Sequence, residues 1–161
     1  MQELLIRKNT RLKGYDYSQP GAYFVTICTK NMKHLFGTIN NGIMHLSGCG
    51  QIANDELQKI SSYYEHVLVD KYIVMPNHVH MIVEINSTER INPFPTVDIP
   101  NIIGKYKAGV SRIVGSAFMR SDIWQKSYHD HIIRTEKYYN HIAQYITENP
   151  MRWQEDCFYT K

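Results

Sequence analysis

An α+β fold built on an antiparallel sheet is what this sequence predicts, and three observations predict it. Short β-branched and aromatic runs alternate with longer segments whose apolar residues recur at helical spacing. Their order is strand, helix, strand, strand, helix, strand, with a hairpin inserted early and one more helix at the end. One strand alternates histidines with apolar residues, so one of its faces suits a core and the other does not.

The elements follow in order. Residues 1–20 read as a basic lead-in ending in the turn signal Gln19-Pro20-Gly21. Residues 23–29, aromatic and β-branched, form the first strand. Asn40-Asn41-Gly42 between two short apolar runs marks a hairpin over 35–46. Ser47 is a capping residue for a helix to residue 64, with Ile52, Ala53, Leu57 and Ile60 on one face. Strands follow at 67–75 and 78–85, separated by Pro76-Asn77. Residues 86–98, polar with Pro93 and Pro95, read as a mobile loop. A second amphipathic helix runs over 99–118, and a last strand is expected over 122–134. Thr135 caps a final helix that must stop near Asn149, because Pro150 disfavours helical geometry in the residue before it.

This βαββαβ order predicts a ferredoxin-like antiparallel sheet in one domain over 1–161, with its two helices on one face. Val79, Met81, Val83 and Ile85 would face those helices, leaving His78 and His80 on the opposite face. A chain of 161 residues can bury one good core. No run approaches the about eighteen apolar residues of a membrane span, and the first residues lack a secretory signal. Cys28, Cys49 and Cys157 are odd in number and widely spaced, which fits buried or half-buried thiols in a reducing cytoplasm. Net charge is only +3, but the basic residues concentrate in 1–13 and 101–137, and 52–70 is acidic. That asymmetry is compatible with a polyanionic partner.

Two imidazoles side by side on a sheet face are half of a divalent-metal site. The last helix offers candidates for the rest, since Tyr145 and Asn149 are four apart and His141 shares their face. Docked across the open sheet face, that helix would bring a hydroxyl and an amide oxygen to the metal. Such a group suits phosphodiester cleavage, with the cation polarising the phosphate and Tyr145 attacking it to form a phosphotyrosine. A tyrosine of pKa about 10 is barely ionised at neutral pH, so it needs activation, for which Lys137 and His141 are candidate helpers.

The stretch Val74-Met75-Pro76-Asn77-His78-Val79-His80 resembles the histidine-hydrophobic-histidine motif of single-tyrosine DNA transposases, the HUH superfamily. Gly14-Tyr15-Asp16-Tyr17, Pro20-Gly21-Ala22-Tyr23-Phe24-Val25-Thr26, Trp124-Gln125-Lys126-Ser127-Tyr128, His131-Ile132-Ile133-Arg134 and Tyr145-Ile146-Thr147-Glu148-Asn149-Pro150 extend the likeness over roughly residues 11–159. Within that superfamily the chain most resembles the REP-associated tyrosine transposases and their insertion-sequence relatives. The resemblance implies a cytoplasmic bacterial or archaeal enzyme that cuts and rejoins single-stranded DNA beside a hairpin. It implies Mg2+ or Mn2+, a 5′-phosphotyrosine, and either a monomer or a homodimer exchanging the tyrosine helix. His78 and His80 match the metal-binding histidines, Tyr145 the nucleophile, and Asn149 the position of a third ligand, where some relatives have glutamine.

Plainer roles compete at several positions. Tyr145 also fits a core aromatic, Tyr128, Tyr138 and Tyr139 are alternative nucleophiles, and Asn149 also fits a helix C-cap. Lys105, Lys107 and Arg112 with Tyr106 can contact DNA phosphates and stack on a base, or form a solvated face. Arg7, Lys8, Arg11 and Lys13 can grip DNA as a basic arm, or be a solvated terminus. Two further functions stay open: a domesticated hairpin-binding protein that no longer cuts, and a nicking enzyme of rolling-circle type.

Overall fold

The computed structural model describes residues 11–87 and 97–161. Arg7, Lys8 and most of the 86–98 loop lie outside them. In chain order the elements are β1 (Gly21–Cys28), β2 (Gly37–Asn40), β3 (Ile43–Leu46), α1 (Gly48–Tyr63), β4 (Val67–Met75), β5 (His78–Ile85), α2 (Ile99–Phe118), β6 (His129–Ile133) and α3 (Glu136–Glu148). The main sheet has the order β4-β5-β1-β6 and is antiparallel throughout. That is the ferredoxin-like arrangement expected of a βαββαβ chain.

Local chemistry sets the element ends. Ser47, Asp98 and Thr135 each accept a hydrogen bond on the side-chain oxygen from a backbone N–H of the first turn of α1, α2 and α3. A cap of this kind contributes about 1 kcal/mol. The β2–β3 hairpin turns on Asn41 and Gly42, at φ 52° and 73°. Both angles are left-handed, as a two-residue turn between right-twisted strands requires.

Residue parity then separates two environments. Tyr23, Val25, Ile27, Val79, Met81 and Val83 are fully buried and belong to the large core shared with α1 and α2. Phe24 and Ile82 point the other way, into a small cluster with Ile133, Ile142 and Ile146. The second sheet face is therefore covered in part by α3, laid on the sheet of its own chain.

The last strand is shorter than the expected 122–134. Asp122 has φ 58°, outside strand geometry, and Trp124 makes only an isolated bridge to Thr29. Thr29 faces Trp124 and Thr26 faces His129, so three steps along β1 are matched by five on the other side. The extra backbone loops out around residues 125–128 before β6 begins, and alternating apolar residues alone did not reveal this bulge. Cys28 and Cys49 are buried and Cys157 is exposed. Among the described residues, no helix is long and apolar enough to cross a membrane.

Candidate active site

The site forms where β5 meets the C-terminal half of α3. His78 and His80 are fully buried, and their Nε2 atoms lie 3.0 Å apart. Strand alternation puts both rings on the α3 side, while Val79 between them enters the large core. The far nitrogens are held from behind. Asn77 donates through Nδ2 to the carbonyl of Phe158, which fixes its amide so that Oδ1 faces His78 Nδ1 at 2.7 Å. His78 therefore donates from Nδ1 and presents a lone pair on Nε2. His80 Nδ1 lies 2.8 Å from the Thr26 hydroxyl, which can accept or donate, so His80 can present Nε2 with or without its proton.

Burial pushes His78 down to about 4, against the opposing pull of the Asp156 charge and of Asn149. Burial, reinforced by the neighbouring His78, also takes His80 well below the usual histidine range. Both rings are thus neutral at pH 7, the form that binds a metal.

Tyr145 brings its hydroxyl to 3.4 Å from His80 Nε2 and donates to Asp156 Oδ2 at 2.8 Å. Burial raises its pKa, and the hydrogen bond and charge of Asp156 raise it further. Asn149 is buried just past the end of α3; its Nδ2 also donates to Asp156 Oδ2, and its Oδ1 finds no hydrogen-bond partner among the described residues. An unpartnered buried carbonyl oxygen is costly unless something fills its lone pairs.

Asp156 is the residue that sequence reasoning missed. It follows a one-turn 3₁₀ helix, Trp153–Glu155, that folds the tail back over the sheet. One ligating atom from each of His78, His80 and Asp156 lies within 4.8 Å of the others. The sequence offered little signal for it: an acidic residue in a short tail beyond Pro150, with no periodicity to place it. Asn77 and Thr26 stood inside quoted motifs, but the Thr26 contact with His80 follows from strand register, and the Asn77 amide is turned toward His78 by its bond to the Phe158 carbonyl.

This donor set fits a divalent cation. Two neutral imidazoles converge with a carboxylate, and an orphaned amide oxygen sits beside them.

Other candidates are placed elsewhere. Tyr128 is buried in the large core, and Tyr139 donates to Asp70 and Glu84. Tyr138 borders a separate cavity with Arg134 and Asp130. His141 and Lys137 are exposed on α3.

The basic residues of α2 lie across the sheet from Tyr145, because α2 packs into the large core. Tyr106 is not free to stack on a base, since it is buried and donates to the Ala53 carbonyl. Lys105 rests on the rings of Tyr63 and Tyr64, and Lys107 donates to the Gln125 carbonyl. Arg112 and Lys13 are exposed, and Arg11 lies over the Tyr128 ring.

No family model matches the chain. An uncharacterised protein of Haemophilus influenzae is 35% identical over 167 residues, covering 95% of this chain and 93% of that protein. Among solved structures, a REP-associated tyrosine transposase bound to a REP hairpin superposes with a TM-score of 0.65 at 20% identity, over 89% of this chain and 74% of its own. A Deinococcus radiodurans protein assigned provisionally as a transposase gives 0.52 at 21% identity, over 85% and 95%. The chain belongs to the family of the Haemophilus influenzae protein, and its fold is that of the REP-associated tyrosine transposase.

Proposed function

We propose that this protein is a single-tyrosine HUH transposase that cleaves and rejoins single-stranded DNA through a 5′-phosphotyrosine on Tyr145. The observation that carries the reading is the Tyr145 hydroxyl lying 3.4 Å from His80 Nε2, beside a second buried histidine and an Asn149 oxygen unpartnered among the described residues. The fold neighbour bound to a hairpin supports hairpin-bearing DNA as the substrate class.

In this reading His78, His80 and Asn149 hold Mg2+ or Mn2+, with Asp156 at the same centre. The bound ion would neutralise a non-bridging phosphate oxygen and make phosphorus more electrophilic. Asn77 and Thr26 orient the two imidazoles from behind. Tyr145 Oη bonds to phosphorus, the P–O3′ bond breaks, and the departing O3′ takes up a proton from water, so the released strand leaves with a 3′-hydroxyl. Asp156 Oδ2, which already accepts the tyrosine hydrogen bond, would accept the departing proton. The opposite substitution, attack by a 3′-hydroxyl on the phosphotyrosine, rejoins DNA and restores Tyr145.

The test is incubation of the protein with labelled single-stranded oligonucleotides carrying a hairpin, in Mg2+ or Mn2+, followed by denaturing gels and mass spectrometry of the adduct. A covalent adduct on Tyr145 is expected. A shifted complex without adduct or product would favour the second reading, a hairpin-binding protein that does not cut. The hydrogen bond from Tyr145 to Asp156, which favours the protonated tyrosine, is the one observation on that side.

A further inference from the structure

Tyr145 borders two cavities of about 330 Å³ each, and His141 borders both. Their chemistry is opposite. The first lies between α3 and the tail and is lined by Glu148, Glu155 and Asp156. Arg152, the one cation among its described lining residues, is already 3.7 Å from Glu148 and 3.3 Å from Glu155. The second opens over β1 and β6, and among the described residues no carboxylate lines it. Four histidines do, His80, His129, His131 and His141, with the rings of Phe24 and Phe158. Phe24 and His131 are stacked, with centroids 6.4 Å apart and planes 17° from parallel. Phe158 lies 6.0 Å from His129 and 5.7 Å from His80.

A phosphodiester aligned for attack by Tyr145 carries a nucleotide on either side, and each brings another negative phosphate. The carboxylate cavity repels such a group. The histidine cavity offers what a nucleotide needs: flat rings for a base to stack on and imidazole nitrogens for base edges or phosphate oxygens. Its volume is at the lower end of small-ligand pockets, about 300–1,000 Å³, which suits one nucleotide.

We propose that the histidine-lined cavity is the subsite for a nucleotide adjoining the scissile phosphate, and that His131 and His141 help hold it there. The subsite rests on the strand-cleavage reading of Tyr145, but its test does not require cleavage. Both histidines are exposed, so replacing them leaves the core intact.

The experiment is fluorescence anisotropy of a labelled oligothymidylate of about a dozen nucleotides, in EDTA. His131→Ala with His141→Ala should weaken binding about tenfold, the loss expected of one stacked base. Glu148→Gln with Glu155→Gln should leave binding unchanged or tighten it. In the same complex, 5-iododeoxyuridine crosslinks should map to Phe24, His131 or Phe158. Parent-like affinity in the double histidine variant, or crosslinks confined to the basic residues of α2, would overturn the subsite while leaving Tyr145 chemistry standing. Failure of the parent protein to bind the oligonucleotide at all would overturn the subsite, while the function reading, which concerns hairpin-bearing DNA, stands or falls by its own adduct test.

Discussion

The two faces of one sheet make the comparison from which this protein is best understood. On the α1–α2 face, Val79, Met81 and Val83 sit in a broad apolar core with no titratable group from β5. On the α3 face, one residue along the same strand, His78 and His80 sit beside a cluster of five buried apolar residues. The difference teaches a division of labour: burial on the first face stabilises the sheet, and the second can then carry neutral histidines and an orphaned amide oxygen at a cost the first offsets. A one-residue slip of β5 would exchange the two faces, so the large core also fixes where the chemistry points.

The sharpest way to test that division is to remove the chemistry alone. Tyr145→Phe should lower adduct formation by several orders of magnitude, as losing a nucleophile does, while hairpin binding and melting temperature stay close to the parent values. Adduct formation that survives would move the nucleophile elsewhere. A large loss of stability would mean that the α3 face is structural after all.

The converse experiment removes packing from each face in turn. Ile103 is fully buried in the large core, and Ile142 is 6% exposed in the small one. Ile103→Ala should cost about 3–4 kcal/mol and Ile142→Ala about 2 kcal/mol, measured by urea denaturation. Equal costs would break the proposed asymmetry. Ile142→Ala should also impair cleavage more than Ile103→Ala at matched folded fraction, because it loosens the helix that carries Tyr145.

How much of this was legible in the sequence depends on the kind of signal. Strand parity in β5 and the spacing of Tyr145 and Asn149 are short-range periodicities, and they placed the histidines and α3 on one face. The residue order also carried the sheet topology, because few connections satisfy a βαββαβ chain. Asp156 and Phe158 reach the site through a tail whose path is set by long-range hydrogen bonds such as Asn77 to the Phe158 carbonyl, and no local pattern encodes that. The bulge before β6 was hidden for the same reason: Trp124, Tyr128, Ile132 and Ile133 alternate well enough to imitate one continuous strand. Tyr106 looked available for stacking because it stands between two lysines, yet its position on α2 turns it into the core.

A pH titration of stability sharpens the comparison further, since only the α3 face buries neutral histidines. The folded His78 value of about 4 lies below the ordinary 6.5, so the unfolded chain binds more protons between those limits. Stability should therefore be complete above pH 6.5 and fall as pH drops toward 4, by at most about 3 kcal/mol from this residue. His80 acts in the same direction. Denaturation of the metal-free protein in EDTA should show this slope, and His78→Asn should flatten it. An unchanged slope in that variant would mean that His78 titrates normally in the fold.

The smallest effect is expected at the far end of α3, where Tyr139 ties the helix to the sheet. Its hydroxyl donates to Asp70 on β4 and to Glu84 on β5. Asp70 reaches it because the ladder passes from Val69 opposite Val83 to Lys71 opposite Ile82, leaving Asp70 as the bulged residue. Removing the hydroxyl frees two carboxylates that solvent can rehydrate, so Tyr139→Phe should cost under about 1 kcal/mol of global stability. Its local consequence is different. The helix is pinned at one end by Tyr139 and at the other by the bonds of Tyr145 and Asn149 to Asp156, with only a small apolar cluster between. Losing the first pin should speed hydrogen exchange several-fold in the amides of α3 and leave α1 and α2 unchanged. Faster exchange in all three helices would show that the two faces melt as one unit, and no change in α3 would show that its position depends on Asp156 rather than on Tyr139.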